Sequence, residues 1–154
     1  AYRDIPSREI PTVALAGGGE LRVIAGEFEQ GGMKTAGPIG GLSTAPLYYD
    51  LRLPEGIEAT IPTPVSHNTC LYVYEGDAVV GDAAKPLPFR AAGLLTPGGS
   101  VRIRAGGQGV RLLLLAGKPI GEPVVQYGPF VMNTPEEIQQ AVIDYQRGQL
   151  AVAS

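Results

Sequence analysis

Short runs in which apolar and polar residues alternate recur along the chain. In the run Leu47–Leu53, every second residue is a leucine or a tyrosine, and Asp50 and Arg52 fall between them. A period of two is typical of a β-strand with one face buried and the other in water. The same reasoning predicts strands over the following runs: 21–25, 57–61, 69–74, 78–81, 93–96, 101–105 and 110–116.

Glycine and proline separate these runs. The sequence contains 22 Gly and 14 Pro, spread between the apolar segments rather than clustered. Such residues mark turns, and they predict turns at Pro54–Gly56, Glu75–Asp77, Pro97–Gly99 and Gly106–Gly109. Strands of this length and spacing, with turns between them, predict an all-β sandwich or barrel.

The run Val110–Ala116 departs from clean alternation. Leu113 and Leu115 fall on the face that the pattern assigns to water. A strand covered on both faces explains this pattern most simply. We therefore expect a second layer, a helix or another domain to pack on the outside of this strand.

One helix is predicted near the end of the chain. Thr134 and Glu137 form a capping box around Pro135, and Gly148 stands at the expected stop. Apolar residues recur between these signals at helical spacing. They are Ile138, Ala141, Val142 and Tyr145.

A length of 154 residues predicts about one domain. The patterns divide the chain into a linker or edge strand over 1–16, a barrel over 17–133, a helix over 134–148 and a tail over 149–154. The net charge of -3 argues against direct nucleic-acid binding. The chain shows neither an apolar leader nor a membrane-spanning run, which predicts a soluble, cytoplasmic protein.

The residues that could support catalysis or metal binding are few. His67 is the only histidine, so several imidazoles cannot meet in one chain, and Thr69 stands where a second histidine would share its strand face. His67 with Glu75 would make only a weak metal site, and the alternative is a hydrogen-bonded side chain at a strand start. Ser66 and His67 would point to opposite sides of a strand, which argues against a nucleophilic pair.

Three residues of one predicted strand share a face. They are Cys70, Tyr72 and Tyr74. If that face points into the barrel, it could line a small-molecule pocket. The alternative is that the tyrosines pack at a rim or an interface, and that Cys70 is a small buried residue.

The segment Gly117–Thr134 resembles the closing signature of the pirin family, and residues 136–148 continue the resemblance. Shorter matches at 24–27, 49–51 and 72–76 extend it over nearly the whole chain. The signature residues are Glu122, Pro123, Tyr127, Gly128, Pro129, Phe130, Met132 and Asn133.

The resemblance implies one half of a two-barrel protein. Pirins resemble two cupin barrels set face to face, and this chain resembles the second. We therefore expect a cupin-like double-sheet β-barrel of the jelly-roll type with one C-terminal helix. In the family, three histidines and one glutamate of the first barrel hold the metal, usually Fe(II). No cofactor is expected in this chain.

The resemblance leaves more than one function open. This chain could be a non-catalytic binding or scaffold half, or it could contribute to an iron-dependent quercetin 2,3-dioxygenase whose metal site lies in the first barrel. The expected partners are a metal-bearing cupin barrel in the same protein or a second subunit, a second copy of the chain, or a regulatory protein. A weaker third hypothesis is a ligand site at Tyr72 and Tyr74.

Overall fold

The structure is a computed structural model that describes residues 4–150. It forms two compact units, which meet in sequence between Pro119 and Ile120. Parts of the predicted linker and tail, residues 1–3 and 151–154, lie outside the described residues. The predicted division into a linker, a barrel, a helix and a tail stays a prediction.

The first unit contains the short 3-10 helix Ser7–Glu9 and an antiparallel set of strands. They are β1 (Thr12–Ala14), β2 (Glu20–Ala25), β3 (Glu27–Gln30), β4 (Met33–Ala36), β5 (Leu47–Leu53), β6 (Glu58–Pro62), β7 (Asn68–Val80), β8 (Lys85–Leu87), β9 (Ala92–Leu94) and β10 (Ser100–Gly117). The second unit contains β11 (Val125–Tyr127), β12 (Phe130–Met132) and the helix α1 (Pro135–Gln146).

The strands form two layers that share β7 and β10. The main path runs β1-β2-β5-β10-β7-β8, with β6 added to β10 and β9 added to β7. The first part of β10 pairs with β6 and with the end of β7, whereas its second part pairs with β5 and with the start of β7. The arrangement is an open double-sheet barrel with one helix, and it confirms the predicted all-β class.

The predicted turns at Glu75–Asp77 and Gly106–Gly109 are wrong, because both segments continue as strand. Two predicted strands join into β7, and two others join into β10. The register shifts at these points, where the strands bend together through bulges. Gly76 and Gly109 have φ of 69° and 77°, which glycine adopts without strain. Glycine at these positions therefore marks a bend within paired strands rather than a turn between them.

Aliphatic side chains fill the space between the two layers. The inward positions of β2, β5, β7 and β10 are almost completely buried, as the alternation predicts. The largest side chains of this core are Tyr49, Leu21, Leu51, Leu53, Ile61, Leu71, Ile103, Leu112, Leu114, Val23 and Val73. Burial of this apolar surface is the main favourable contribution to folding.

The helix follows its predicted boundaries. The Glu137 amide donates to the Thr134 hydroxyl at 3.2 Å, and the Thr134 amide donates to the Glu137 carboxylate at 3.0 Å. Gly148, with φ of 69°, follows the last turn as expected. Tyr145 departs from the predicted apolar stripe, because it is largely exposed while Ile138 is buried. Within residues 4–150, no helix has the length and apolar character needed to span a bilayer.

Tyr49 ties the hairpin β3–β4 to the main sheet. Its hydroxyl donates to the Glu27 carbonyl oxygen at 2.5 Å, and its ring meets Phe28 edge-on with 5.9 Å between centroids. Burial, together with the Glu27 carboxylate, raises the pKa of the Tyr49 hydroxyl from 10.0 to about 12. Between pH 10.0 and about 12, the phenol is therefore protonated in the folded chain and ionised in the unfolded chain.

This pKa predicts a loss of stability at alkaline pH. Because the folded pKa is raised, the contribution of Tyr49 is complete below pH 10.0 and disappears as the pH rises towards about 12, a loss of about 2–3 kcal/mol. We expect Tyr49→Phe to cost about 1–2 kcal/mol at neutral pH and to make the alkaline decline shallower. Urea unfolding at several pH values, with Tyr48→Phe as the control, measures this; identical alkaline slopes in both variants would contradict it.

Candidate functional site

His67 lies in the turn before β7, and both of its ring nitrogens are engaged. Nε2 is 2.9 Å from the Ala45 carbonyl oxygen, to which it donates, so Nδ1 is the acceptor that faces the Ser66 hydroxyl at 3.5 Å. Our expectation that Ser66 points away from His67 is wrong, because the two residues lie in a turn and not within a strand. A metal ion at Nδ1 would displace the Ser66 hydroxyl, and one at Nε2 would break the hydrogen bond to Ala45.

Glu75 lies well along β7, whereas His67 lies in the turn before that strand. The seven steps from Asn68 to Glu75 alone correspond to roughly 23 Å at the usual rise of a strand. Glu75 instead forms an exposed ion pair with Arg111, with 3.7 Å between Oε2 and Nη1. Across residues 4–150, no three histidine, cysteine or carboxylate side chains come together in a way that could hold a metal ion. The part of the chain that the structure describes therefore does not fit an iron site.

The interior of the barrel offers no reactive group. The buried polar side chains of residues 4–150 are Thr63, His67 and Thr69. Thr63 donates to the Gly98 carbonyl oxygen at 3.2 Å, and His67 is held as described above. Aliphatic side chains, Phe28 and Tyr49 occupy the remaining interior, so the described barrel encloses no carboxylic acid and no serine or cysteine nucleophile.

Cys70, Tyr72 and Tyr74 share one face of β7, as predicted, and that face points away from the core. Leu71 and Val73 between them are fully buried, whereas Tyr72 is exposed and Cys70 is half-buried. These three side chains therefore do not line the barrel interior. They belong to the outer surface of the main sheet.

One end of this outer surface is apolar. Tyr48 of β5, Leu115 of β10, Cys70 of β7 and Leu94 of β9 stand directly opposite one another across four strands. The adjacent row places Leu113 opposite Tyr72. We call this surface the apolar strand face, and its members are Tyr48, Cys70, Tyr72, Leu94, Leu113 and Leu115. Leu115 is 39% exposed and Leu94 is 86% exposed, whereas Tyr48, Cys70 and Leu113 are half-buried, so the face is partly open within the described chain.

The opposite end of the outer surface is polar. The Tyr74 hydroxyl donates to Asp50 Oδ1 at 2.6 Å, and the Arg111 guanidinium lies 5.6 Å from the centre of the Tyr74 ring. Burial, followed by the hydrogen bond to Asp50, raises the pKa of Tyr74 to about 12. Tyr74 is therefore a neutral donor at physiological pH. Its position fits the predicted alternative of a tyrosine whose hydroxyl is satisfied at a rim.

The signature residues build the second unit. Gly128 and Pro129 connect β11 to β12, with Gly128 at φ of 56°. The Asn133 side chain donates to the Pro123 carbonyl oxygen at 2.9 Å and to Glu122 Oε2 at 3.1 Å.

Two further signature residues lie at the helix side of this hairpin. The Phe130 ring meets Tyr145 of α1 edge-on, with 6.0 Å between centroids, and Met132 pairs with Val125. Tyr127 lines an apolar groove of about 620 Å³ between the hairpin and the helix, together with Ile138 and Val142.

The sequence patterns do not single out Leu94, Arg52 or Arg111 as site residues. Each becomes notable only when strand register places it opposite a particular neighbour. Alternation does assign Arg52 and Arg111 to the outward face. Their mutual position, however, depends on the pairing of two residues that lie 59 positions apart in sequence.

Comparison with known proteins identifies the family. Residues 48–151 match the profile of the family described as the Pirin C-terminal cupin domain. A Pseudomonas aeruginosa protein with the provisional name quercetin 2,3-dioxygenase is 44% identical over 152 residues, which are 98% of this chain and 53% of that protein. Human Pirin is 34% identical over 154 residues, covering 94% of this chain and 49% of that protein.

A solved structure agrees. The crystal structure of an Acinetobacter baumannii protein titled quercetin 2,3-dioxygenase superposes with a TM-score of 0.82 at 34% identity, covering 98% of this chain and 51% of that one. The chain thus spans about half the length of these relatives, and its barrel has the predicted cupin-like fold. This chain belongs to the pirin family and corresponds to its C-terminal cupin domain.

Proposed function

We propose that this chain is the non-catalytic binding and scaffold half of a two-barrel pirin, and that it acts by docking to a metal-bearing cupin barrel. One observation carries the proposal. The interior of the described barrel is filled with aliphatic and aromatic side chains, and its buried polar residues are two threonines and one hydrogen-bonded histidine. A barrel packed in this way leaves its outer surface as the part that can serve a partner.

The apolar strand face supports a protein partner. Its side chains come from four neighbouring strands and form a contiguous surface with polar residues along one side. A contiguous apolar surface bordered by polar residues is typical of an interface between proteins. The relatives are about twice as long as this chain. In them, the half that this chain does not match is of similar size and is available as the partner, and we call it the partner half.

Complex formation tests the proposal. The purified chain is mixed with the half of the Pseudomonas aeruginosa relative that lies outside the matched region, and the mixture is analysed by light scattering on a sizing column. We expect a one-to-one complex. If the chain stays monomeric beside a folded partner half, the proposal is contradicted. If the chain forms only homodimers, its partner is a second copy of itself and not the partner half.

A second candidate function is a share in a quercetin 2,3-dioxygenase. The names of the relatives from Pseudomonas aeruginosa and Acinetobacter baumannii favour it. In this case the complex oxidises quercetin when Fe(II) is bound in the partner half, and this chain contributes only shape and contacts. Quercetin consumption by the complex at a rate well above that of the partner half alone supports this candidate. Equal rates would leave only the scaffold role for this chain.

A further inference from the structure

A row of four charged side chains crosses the polar end of the outer surface. In register, Glu20 of β2 stands opposite Arg52 of β5, Arg52 opposite Arg111 of β10, and Arg111 opposite Glu75 of β7. The order of charges across the sheet is therefore negative, positive, positive, negative. The two arginines are direct cross-strand neighbours, a placement in which like charges repel and destabilise the sheet.

The two glutamates neutralise this pair only weakly. Arg52 Nη1 is 3.8 Å from Glu20 Oε1, and Arg111 Nη1 is 3.7 Å from Glu75 Oε2. Both distances exceed those of a charge-assisted hydrogen bond, and all four side chains are more than 40% exposed. The Nε atom of Arg111 is buried and has no hydrogen-bond partner among the described residues. This Nε atom is out of reach of a ligand, but the exposed Nη groups of both arginines make only these long contacts with the glutamates and remain available as donors.

The same row lies at a cleft of about 560 Å³. This volume is within the range of small-molecule sites. Gln108 and Thr12 add polar groups to the lining, and Pro54 adds exposed apolar surface. The carboxylates of Glu20 and Glu75 line the cleft as well. Because their contacts with the arginines are long, the two adjacent guanidinium groups remain the feature of the cleft that favours an organic anion.

We propose that the Arg52–Arg111 cleft is a binding site for a small molecule that carries an oxyanion, either a carboxylate or a phosphate group. The oxyanion bridges the two guanidinium groups and removes the repulsion between them, because both cations then contact one negative group. The exposed Pro54 contacts the apolar part of the ligand. The site lies on the outer surface of the barrel, and it requires neither a metal ion nor a second cupin barrel.

Amide NMR titration tests the site. The purified chain is titrated with inorganic phosphate, with benzoate, and with benzamide as a neutral molecule of the same shape as benzoate. We expect saturable shifts at the amides of Arg52, Gly109 and Arg111 with phosphate or benzoate, and none with benzamide. Saturation by phosphate alone supports a phosphate-bearing ligand, and preference for benzoate supports a carboxylate with an apolar body.

Substitutions locate the binding. Arg52→Gln and Arg111→Gln are each expected to weaken anion binding by about tenfold or more. The control Arg104→Gln removes an exposed arginine from the other half of β10 and is expected to leave the affinity within about twofold. If Arg111→Gln does not fold, Arg52→Gln and the wild-type titrations decide the question. Shifts that do not saturate by about 20 mM of either anion, or that persist equally in Arg52→Gln, would overturn the site.

Discussion

Replacing Gly76 with alanine is expected to destabilise the barrel by about 3 kcal/mol or more. Gly76 has φ of 69°, a conformation that costs energy for any residue with a Cβ atom. A Cβ atom at this position would also overlap the carbonyl oxygen of Gly109 on the paired strand. Because that atom belongs to the backbone of β10, it cannot move aside as a side chain would. The bend shared by β7 and β10 would have to open.

The control separates these two contributions. Gly81 has φ of 72°, and nothing lies within 4 Å of the Cβ atom that alanine would add there. Gly81→Ala therefore carries the conformational cost without the overlap, and we expect it to cost about 1 kcal/mol. Urea unfolding of the two variants and the parent chain measures the difference. Equal losses in both variants would show that the close approach of β7 to β10 contributes nothing to stability.

Replacing Leu115 with aspartate is expected to lower the affinity of this chain for the partner half by about 100-fold or more. Leu115 lies in the longer of the two rows of the apolar strand face, between Tyr48 and Cys70. A carboxylate at this position would be buried by the partner without a cation in register, and an unpaired buried charge costs several kcal/mol. The side chain is exposed in this chain, so the substitution leaves the barrel core intact.

Met33 supplies the matched control for this substitution. It is 77% exposed on β4, which belongs to the separate hairpin β3–β4 and not to the main sheet. Met33→Asp introduces the same charge away from the apolar strand face, and we expect it to leave the affinity nearly unchanged. Isothermal titration calorimetry of both variants against the partner half gives the two affinities. If Leu115→Asp binds as tightly as Met33→Asp, the partner docks elsewhere.

Alternation and capping predict much of the fold, because they report local burial and local hydrogen bonding. The run 47–53 is observed as β5, and the capping box of Thr134 and Glu137 begins α1. The strand continuity of β7 and β10 could not be predicted, because Gly76 and Gly109 signal a turn as strongly as a bulge. Which of these occurs depends on pairing between residues that are far apart in sequence.

The candidate site shows the same limit. The sequence places Cys70, Tyr72 and Tyr74 on one strand face but does not determine which face meets the core. That choice depends on Leu71 and Val73, which are more fully buried than the larger tyrosines. Arg52 and Arg111 are visibly outward in the pattern, yet their direct opposition follows only from the register of β5 and β10. Local patterns therefore describe the faces, and the pairing of distant strands creates the site.

The metal content of the isolated chain tests the central claim most directly. The purified 154-residue chain is incubated anaerobically with excess Fe(II), desalted, analysed for iron, and then assayed for quercetin consumption in air. An apolar interior and a single histidine, already hydrogen-bonded to a carbonyl oxygen, predict that the chain retains far less than one equivalent of iron and does not consume quercetin. Retention of close to one iron per chain, accompanied by quercetin consumption, would contradict the account and would place the chemistry within this barrel.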